Sequence, residues 1–175
     1  RILKVKFELG LFDDPYLYCN EELEKQITGS QELVQANLDV AKKSIVLLKN
    51  ENTILPLKKE GQKIGLIGPL AADKNSPLGN WRIAAVNNSA VSVLEGFQSY
   101  KGNKISHAQG VKLVNKVPDG FHEEVQINTT DKTGIEEAIA LAKEVDVVVM
   151  VLGEYGFQSG EGRSRAFLNL PGFQQ

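Results

Sequence analysis

Apolar positions recur along the chain with a helical period in some stretches and as short unbroken runs in others. Val34, Leu38, Ala41 and Ile45 fall at i, i+4, i+7 and i+11, a single helical face, and Ser30 ahead of them is a candidate N-cap. SIVLLKN at 44–50 reads as a short apolar strand or the end of that helix. KIGLIG at 63–68 predicts a compact strand closed by a Gly-Pro turn, SAVSVLEGF a helix reaching about Phe97, and KISHAQG a further strand. Ile135, Ala138, Ile139, Ala142 and Val145 form a second helical stripe, with Thr133 and Glu136 at capping-box spacing. VDVVVMVLG at 145–153 is apolar apart from Asp146, which predicts a strand covered by helices on both faces of a parallel sheet.

Helix and strand signals therefore alternate from Ser30 to Leu152. This alternation predicts an α/β domain built on a mostly parallel, doubly wound sheet flanked by helices. Residues 1–29 differ. They carry turn signals (FDDPY, TGS) without sustained periodicity, and predict the tail of a preceding domain followed by a connector. The expected boundary thus lies near Ser30, with 30–175 as the α/β domain. Both ends read as cuts: Arg1 is not an initiating methionine, and LPGFQQ looks like the first turn of a helix.

Composition removes several functions. A mixed formal charge of -2 gives no nucleic-acid or membrane-binding surface, and no apolar run approaches the roughly 20 residues of a membrane span. Cys19, the single cysteine, excludes an internal disulfide and has no histidine near it in sequence to make it a nucleophile. His107 and His122 lack partners at metal-ligand spacing. GLIGPLAADK has neither phosphate-binding glycine pattern, and reads as a tight strand-to-helix turn. No cofactor or metal is expected.

The chemistry concentrates in GEYGFQSGEGRSR at 153–165. This loop leaves the carboxyl end of the most apolar strand, where open α/β sheets bind ligands. It carries two candidate general acid/base groups, Glu154 and Glu161. Gly160 and Gly162 bracket Glu161 and permit close approach of a ligand. Arg163 and Arg165 can bind substrate hydroxyls or pair with the carboxylates. Against this stands a solvated loop whose exposed ion pairs are worth little. Trp81, in LGNWR, is either a sugar-stacking ring or a buried anchor.

RILKVKFELGLFDDPY, AKKSIVLLKNENTILPL, KIGLIGPLAADK, LGNW, DVVVMVLGE and SGEGRSR…LNLPGFQQ occur in an order that resembles family 3 glycoside hydrolases of the β-glucosidase and β-xylosidase type. The resemblance runs over nearly the whole chain, with gaps around 83–90 and 115–126. It implies an α/β sandwich domain that follows a (β/α)8-like barrel. The barrel supplies a nucleophilic aspartate, and the sandwich domain supplies an acid/base glutamate on a loop over the active site. By that resemblance residues 1–15 are the barrel's exit, about 16–29 the linker, Glu161 the general acid/base, and Glu154, Arg163 and Arg165 substrate-binding or loop-positioning residues. It also implies a β-linked glycoside or oligosaccharide as substrate and a periplasmic or secreted location. A retaining glycosidase needs two carboxyl groups about 5–5.5 Å apart. Only one is here, so the chain alone is expected to be inactive. The alternatives from other classes are a non-catalytic α/β module binding a sugar or small ligand, and a nucleotide-binding domain, which the missing phosphate motifs disfavour.

Overall fold

The computed structural model describes residues 1–118 and 123–175. His122 lies outside the described residues. The described chain forms two compact units, Arg1–Leu55 and Pro56–Gln175.

The first unit is helical: α1 (Ile2–Glu8), α2 (Glu21–Ile27) and α3 (Gln31–Ser44). α3 begins where its pattern predicts, with the Ser30 hydroxyl accepting from the Leu33 amide at 3.4 Å. The two short helices in 1–29 do not follow from periodicity, because seven residues are too few to establish a face. α2 has local signals instead. The Asn20 side chain accepts from the Leu23 amide at 2.9 Å, and Glu21, Glu22 and Glu24 sit in the first turn, where carboxylates favour the helix dipole. SIVLLKN is neither strand nor helix beyond Ser44. No residue of this unit is buried, and Ile45, Val46, Leu47 and Leu48 are 63–91% exposed.

The second unit is a three-stranded, all-parallel sheet in the order β2-β1-β3: β1 (Glu60–Ile67), β2 (Gly102–Ala108) and β3 (Val147–Met150). Ile64 pairs with both Ile105 and Val147, so β1 is the central strand. Ile64, Leu66, Ile67 and Ala108 are buried. Each large side chain here contributes about 1.5–3 kcal/mol through burial. α5 (Ile135–Glu144) lies over the sheet, close enough that a methyl group on Gly65 would meet Val145 at 3.1 Å and Leu141 at 3.4 Å. α4 (Val93–Gln98) precedes β2.

Two expectations are corrected. β3 is an edge strand with one open face, because Val148 and Met150 are 38% and 59% exposed. That face and the predicted stripe of α5 line an apolar groove of about 330 Å³, with Ile135, Ala138, Ile139 and Ala142 on one side and Val148 and Met150 on the other. The capping box at Thr133 and Glu136 does not form either. Gly134 occupies the cap at φ +99°, where a side chain would overlap the Gly110 carbonyl, and no side chain caps the helix. Thr133 instead hydrogen-bonds Asp131 through its hydroxyl and, at 2.8 Å, its amide, which holds the Asp131 carboxyl below its ordinary range.

A complete capping box forms at α4. The Ser92 hydroxyl accepts from the Glu95 amide at 3.1 Å, and the Glu95 carboxylate accepts from the Ser92 amide at 2.8 Å. Glu95 also takes a 2.8 Å hydrogen bond from Lys74. That bond, followed by those from Ser92, lowers its carboxyl from 4.5 to about 2. A depressed carboxyl stabilises the fold above its unfolded value and loses that contribution as pH falls towards its folded value. Stability is therefore expected to fall between about pH 4.5 and 2, and Glu95→Gln to flatten this part of the profile. Thermal midpoints of both proteins across that window check it, and parallel profiles contradict it.

Candidate functional site

β3 runs straight into the loop at 153–165, and the loop's own sequence decides which part is fixed and which projects. Tyr155 and Phe157 alternate inwards and are buried with Leu113, against Leu70, Val114, Val125 and Ile127. Their rings meet edge-to-face, centroids 6.1 Å apart. Burial pushes the Tyr155 hydroxyl above its ordinary value. The Gln158 side chain folds back under the loop and accepts from the Tyr155 amide at 2.6 Å. Gly156 donates its amide to Ser76 Oγ at 3.0 Å, and Ser76 in turn donates to Asp73.

Gln174 clamps the loop's root. Its Nε2 donates to the Gly153 carbonyl at 2.8 Å and to the Pro171 carbonyl at 2.9 Å, while its Oε1 accepts from the Gly153 amide at 2.9 Å. The segment LPGFQQ contains a turn that delivers a buried amide to the end of β3.

The two arginines hold the far side. Arg163 donates to the Phe157 carbonyl and, at 2.7 Å, to the Glu123 carbonyl, with its guanidinium 5.7 Å from the Phe157 ring centroid. Arg165 pairs with the Glu154 carboxylate and donates to the Asn169 carbonyl at 2.7 Å. The structure therefore brings Glu154 and Arg165 together and directs Arg163 to backbone carbonyls. It sets Glu161 apart, exposed at the tip between Gly160 and Gly162, without a hydrogen bond or ion pair to any described residue. Residues 159–162 are exposed beyond the base that buried Tyr155, Phe157 and Gln158 form.

Trp81 is 64% exposed, so it is not the buried anchor that its position in LGNWR allowed. Two cavities adjoin the loop. One, of about 590 Å³, opens at the carboxyl ends of β1 and β2 between His107, Leu113 and Tyr155. The other, of about 420 Å³, is lined by Asn80, Arg82, Asn87 and Phe157, with the Arg82 guanidinium 4.6 Å from the Phe157 ring centroid. Among the described residues there is no group of three His, Cys, Asp or Glu side chains able to hold a metal, and no helix long and apolar enough to cross a membrane.

Residues 45–175 match the C-terminal domain of glycosyl hydrolase family 3. The chain belongs to that family. It is 36% identical over 185 residues to the periplasmic beta-glucosidase of Salmonella typhimurium, a match covering 99% of this chain and 24% of that protein. It is likewise 36% identical over 183 residues to a beta-xylosidase of Formosa agariphila, covering all of this chain and 23% of the relative. Among solved structures, the beta-glucosidase of Listeria innocua in complex with gluconolactone superposes with a TM-score of 0.75 at 28% identity, over 98% of this chain and 21% of that one. A mutant of the same enzyme in complex with laminaribiose gives 0.76 at the same identity and coverage. The chain spans about a quarter of the length of these curated relatives.

Gln174, Gln158 and Ser76 belong to the loop's support, and periodicity does not reveal them. Gln158 bonds within the loop itself, across three positions. Gln174 reaches Gly153 across 21 positions and Ser76 reaches Gly156 across 80.

Proposed function

We infer that this chain is the acid/base-bearing part of a retaining, exo-acting β-glycosidase of family 3, acting on β-linked glucosides or xylosides. The observation that carries this reading is the separation of the two loop carboxylates. Glu154 is occupied by a guanidinium, whereas Glu161 stands exposed between two glycines beyond the end of β3. The Glu154 carboxylate is taken up by its pair with Arg165 at the root of the loop, which leaves it engaged within this chain. Glu161 is the group able to protonate a leaving oxygen and then deprotonate the incoming water.

The nucleophilic aspartate belongs to a barrel domain outside this chain, with residues 1–29 as the exit from that barrel and the linker, and 30–175 within the α/β domain. The uncovered apolar run Ile45–Val46–Leu47–Leu48 and the absence of a buried residue in Arg1–Leu55 support a first unit that is covered in the intact protein. The name of the Salmonella relative supports a periplasmic location.

The test compares the intact protein with residues 1–175 on aryl β-glucosides and aryl β-xylosides. The intact protein is expected to turn over at least one of them, and the isolated chain neither. Turnover by the isolated chain sinks the two-domain mechanism. Sugar binding without hydrolysis by the intact protein favours the non-catalytic module instead.

A further inference from the structure

Asn80 breaks a rule that its neighbours obey. Asn128, Gln158 and Gln174 are buried amides with hydrogen-bond partners. The Asn80 Nδ2 and Oδ1 atoms are both buried, and neither has a partner among the described residues. A buried amide without partners is destabilising, and an apolar side chain of the same shape serves as well or better. Sequences depart from such local rules mostly where function requires it.

What lies against this amide is the projecting tip of the loop. A methyl group on Gly160 would overlap the Asn80 amide nitrogen and stand 2.5 Å from its Cγ and 3.3 Å from its Cβ. Gly160 holds φ at +106°, so both its conformation and its lack of a side chain let the backbone rest on Asn80. Glu161 is the next residue. The Gly160 carbonyl already accepts from the Arg163 amide at 3.1 Å, whereas the amides of Gly160 and Glu161 and the Ser159 carbonyl make no hydrogen bond among the described residues. On its other side Asn80 lines the cavity of about 420 Å³, which leaves the loop room to shift.

We propose that Asn80 is a positioning residue for Glu161. Its amide pairs with the peptide groups flanking Gly160 in the loop conformation that presents the carboxyl to substrate. Leaving the amide unpaired in the present arrangement favours that conformation, since a minor state gains population when it satisfies a group the major state does not. This rests on Glu161 being the general acid/base.

The experiment uses the intact protein and aryl glycosides that span good and poor leaving groups. Asn80→Leu keeps the shape and removes the polar atoms. Its thermal midpoint is expected to equal or exceed that of wild type, while kcat/KM for the poorest leaving groups falls about tenfold or more, as for a misplaced catalytic group. The best leaving groups, needing little acid assistance, are expected to stay within about twofold of wild type. An unchanged dependence on leaving group overturns the proposal, as does an equal loss on all substrates together with a lower midpoint.

Should Asn80→Leu fail to fold, Asn80→Ala and Gly160→Ala decide the matter as a double-mutant cycle. Gly160→Ala is expected to cost less activity in the Asn80→Ala background, where the overlap is relieved, and strictly additive losses refute the contact. Glu161→Ala on the same substrates separates the two readings. If it steepens the leaving-group dependence and Asn80 variants do not, the role of Asn80 alone is lost. If Glu161→Ala leaves the dependence flat, the acid/base assignment fails and takes this proposal with it.

Discussion

Glu161→Ala in the intact protein is expected to lower kcat/KM by roughly 10²–10⁴-fold on glycosides with poor leaving groups, the usual worth of a positioned general acid. The same change should barely affect bond cleavage for an activated aryl glycoside, whose phenolate leaves without a proton. For that substrate the second step becomes slow, because the water that releases the glycosyl-enzyme has lost its base. A burst of phenol followed by a slow steady state is the expected course. Azide attacks without a general base, so it should restore turnover and give a β-glycosyl azide, the configuration reporting double displacement. Glu154→Ala is the control. Its carboxylate is held by Arg165 at the root of the loop, so its loss is expected to loosen the loop without creating azide dependence. Rescue of Glu154→Ala in place of Glu161→Ala would reverse the two assignments.

On the proposed reading of Glu161, the anchored base also explains why the acid/base group would sit on a tip so rich in glycine. Tyr155 and Phe157 bury, Gln174 clamps Gly153, and Arg163 ties the loop to carbonyls of Phe157 and Glu123, while the Glu161 side chain makes no bond to any described residue. A site assembled from two domains sets the distance to the sugar by docking and loop movement, and small displacements there cost much of the rate. As the proposed acid/base, Glu161 would need no bond to this chain, its partners being substrate and a second carboxyl group.

The parts of this arrangement that can be read from the sequence are those specified locally. α3 and α5 show a helical stripe, and β1 and β3 show short apolar runs closed by Gly. The loop carboxylates and arginines are visible because a polar, glycine-rich stretch after an apolar strand has few structural uses. Where the structure departs from the pattern, a competing interaction wins. Thr133 and Glu136 have capping-box spacing, but the Thr133 hydroxyl goes to Asp131 and Gly134 takes the cap. The unbroken apolar run of β3 predicts two covered faces, yet a run of this kind reports only compatibility with burial, and Val148 and Met150 are open. The supports of the loop are hidden for another reason. Ser76 and Gln174 act through contacts across long sequence separations, and an amide or hydroxyl in a turn looks the same whether or not it has such a contact.

Asn128 shows how much such a hidden amide can carry, and its removal is expected to have the largest effect on stability. It is fully buried. Its Nδ2 donates to the Lys112 carbonyl at 2.9 Å and to the Asp131 carbonyl at 2.7 Å, and its Oδ1 accepts from the amides of Thr130 at 3.2 Å and Asp131 at 2.9 Å. Its own amide donates to the Leu113 carbonyl at 2.9 Å, beside the antiparallel bridge between Val114 and Ile127. One side chain thus joins two segments and closes the turn after it. Asn128→Ala leaves four backbone groups without their partner. Each lost bond is worth about 0.5–1.5 kcal/mol, and water reaching the partly buried partners recovers some of it, so a net loss of about 3 kcal/mol is expected. Asn128→Asp discriminates between packing and hydrogen bonding: it keeps the acceptor towards Thr130 and Asp131 and loses both donors, placing an oxygen against two carbonyls. It should therefore be no more stable than the alanine variant despite its better fit. Urea unfolding measures the loss, and hydrogen exchange at the Thr130 and Asp131 amides localises it. The network reaches the loop as well, because Leu113 packs with Tyr155 and Phe157 and the Asn128 carbonyl lies where a side chain on Gly172 would stand, at 2.9 Å. Faster exchange is accordingly expected at Gly153 and Tyr155 in both variants. Loss of stability with unchanged exchange there would confine Asn128 to its own turn and leave the loop's root to the Gln174 clamp.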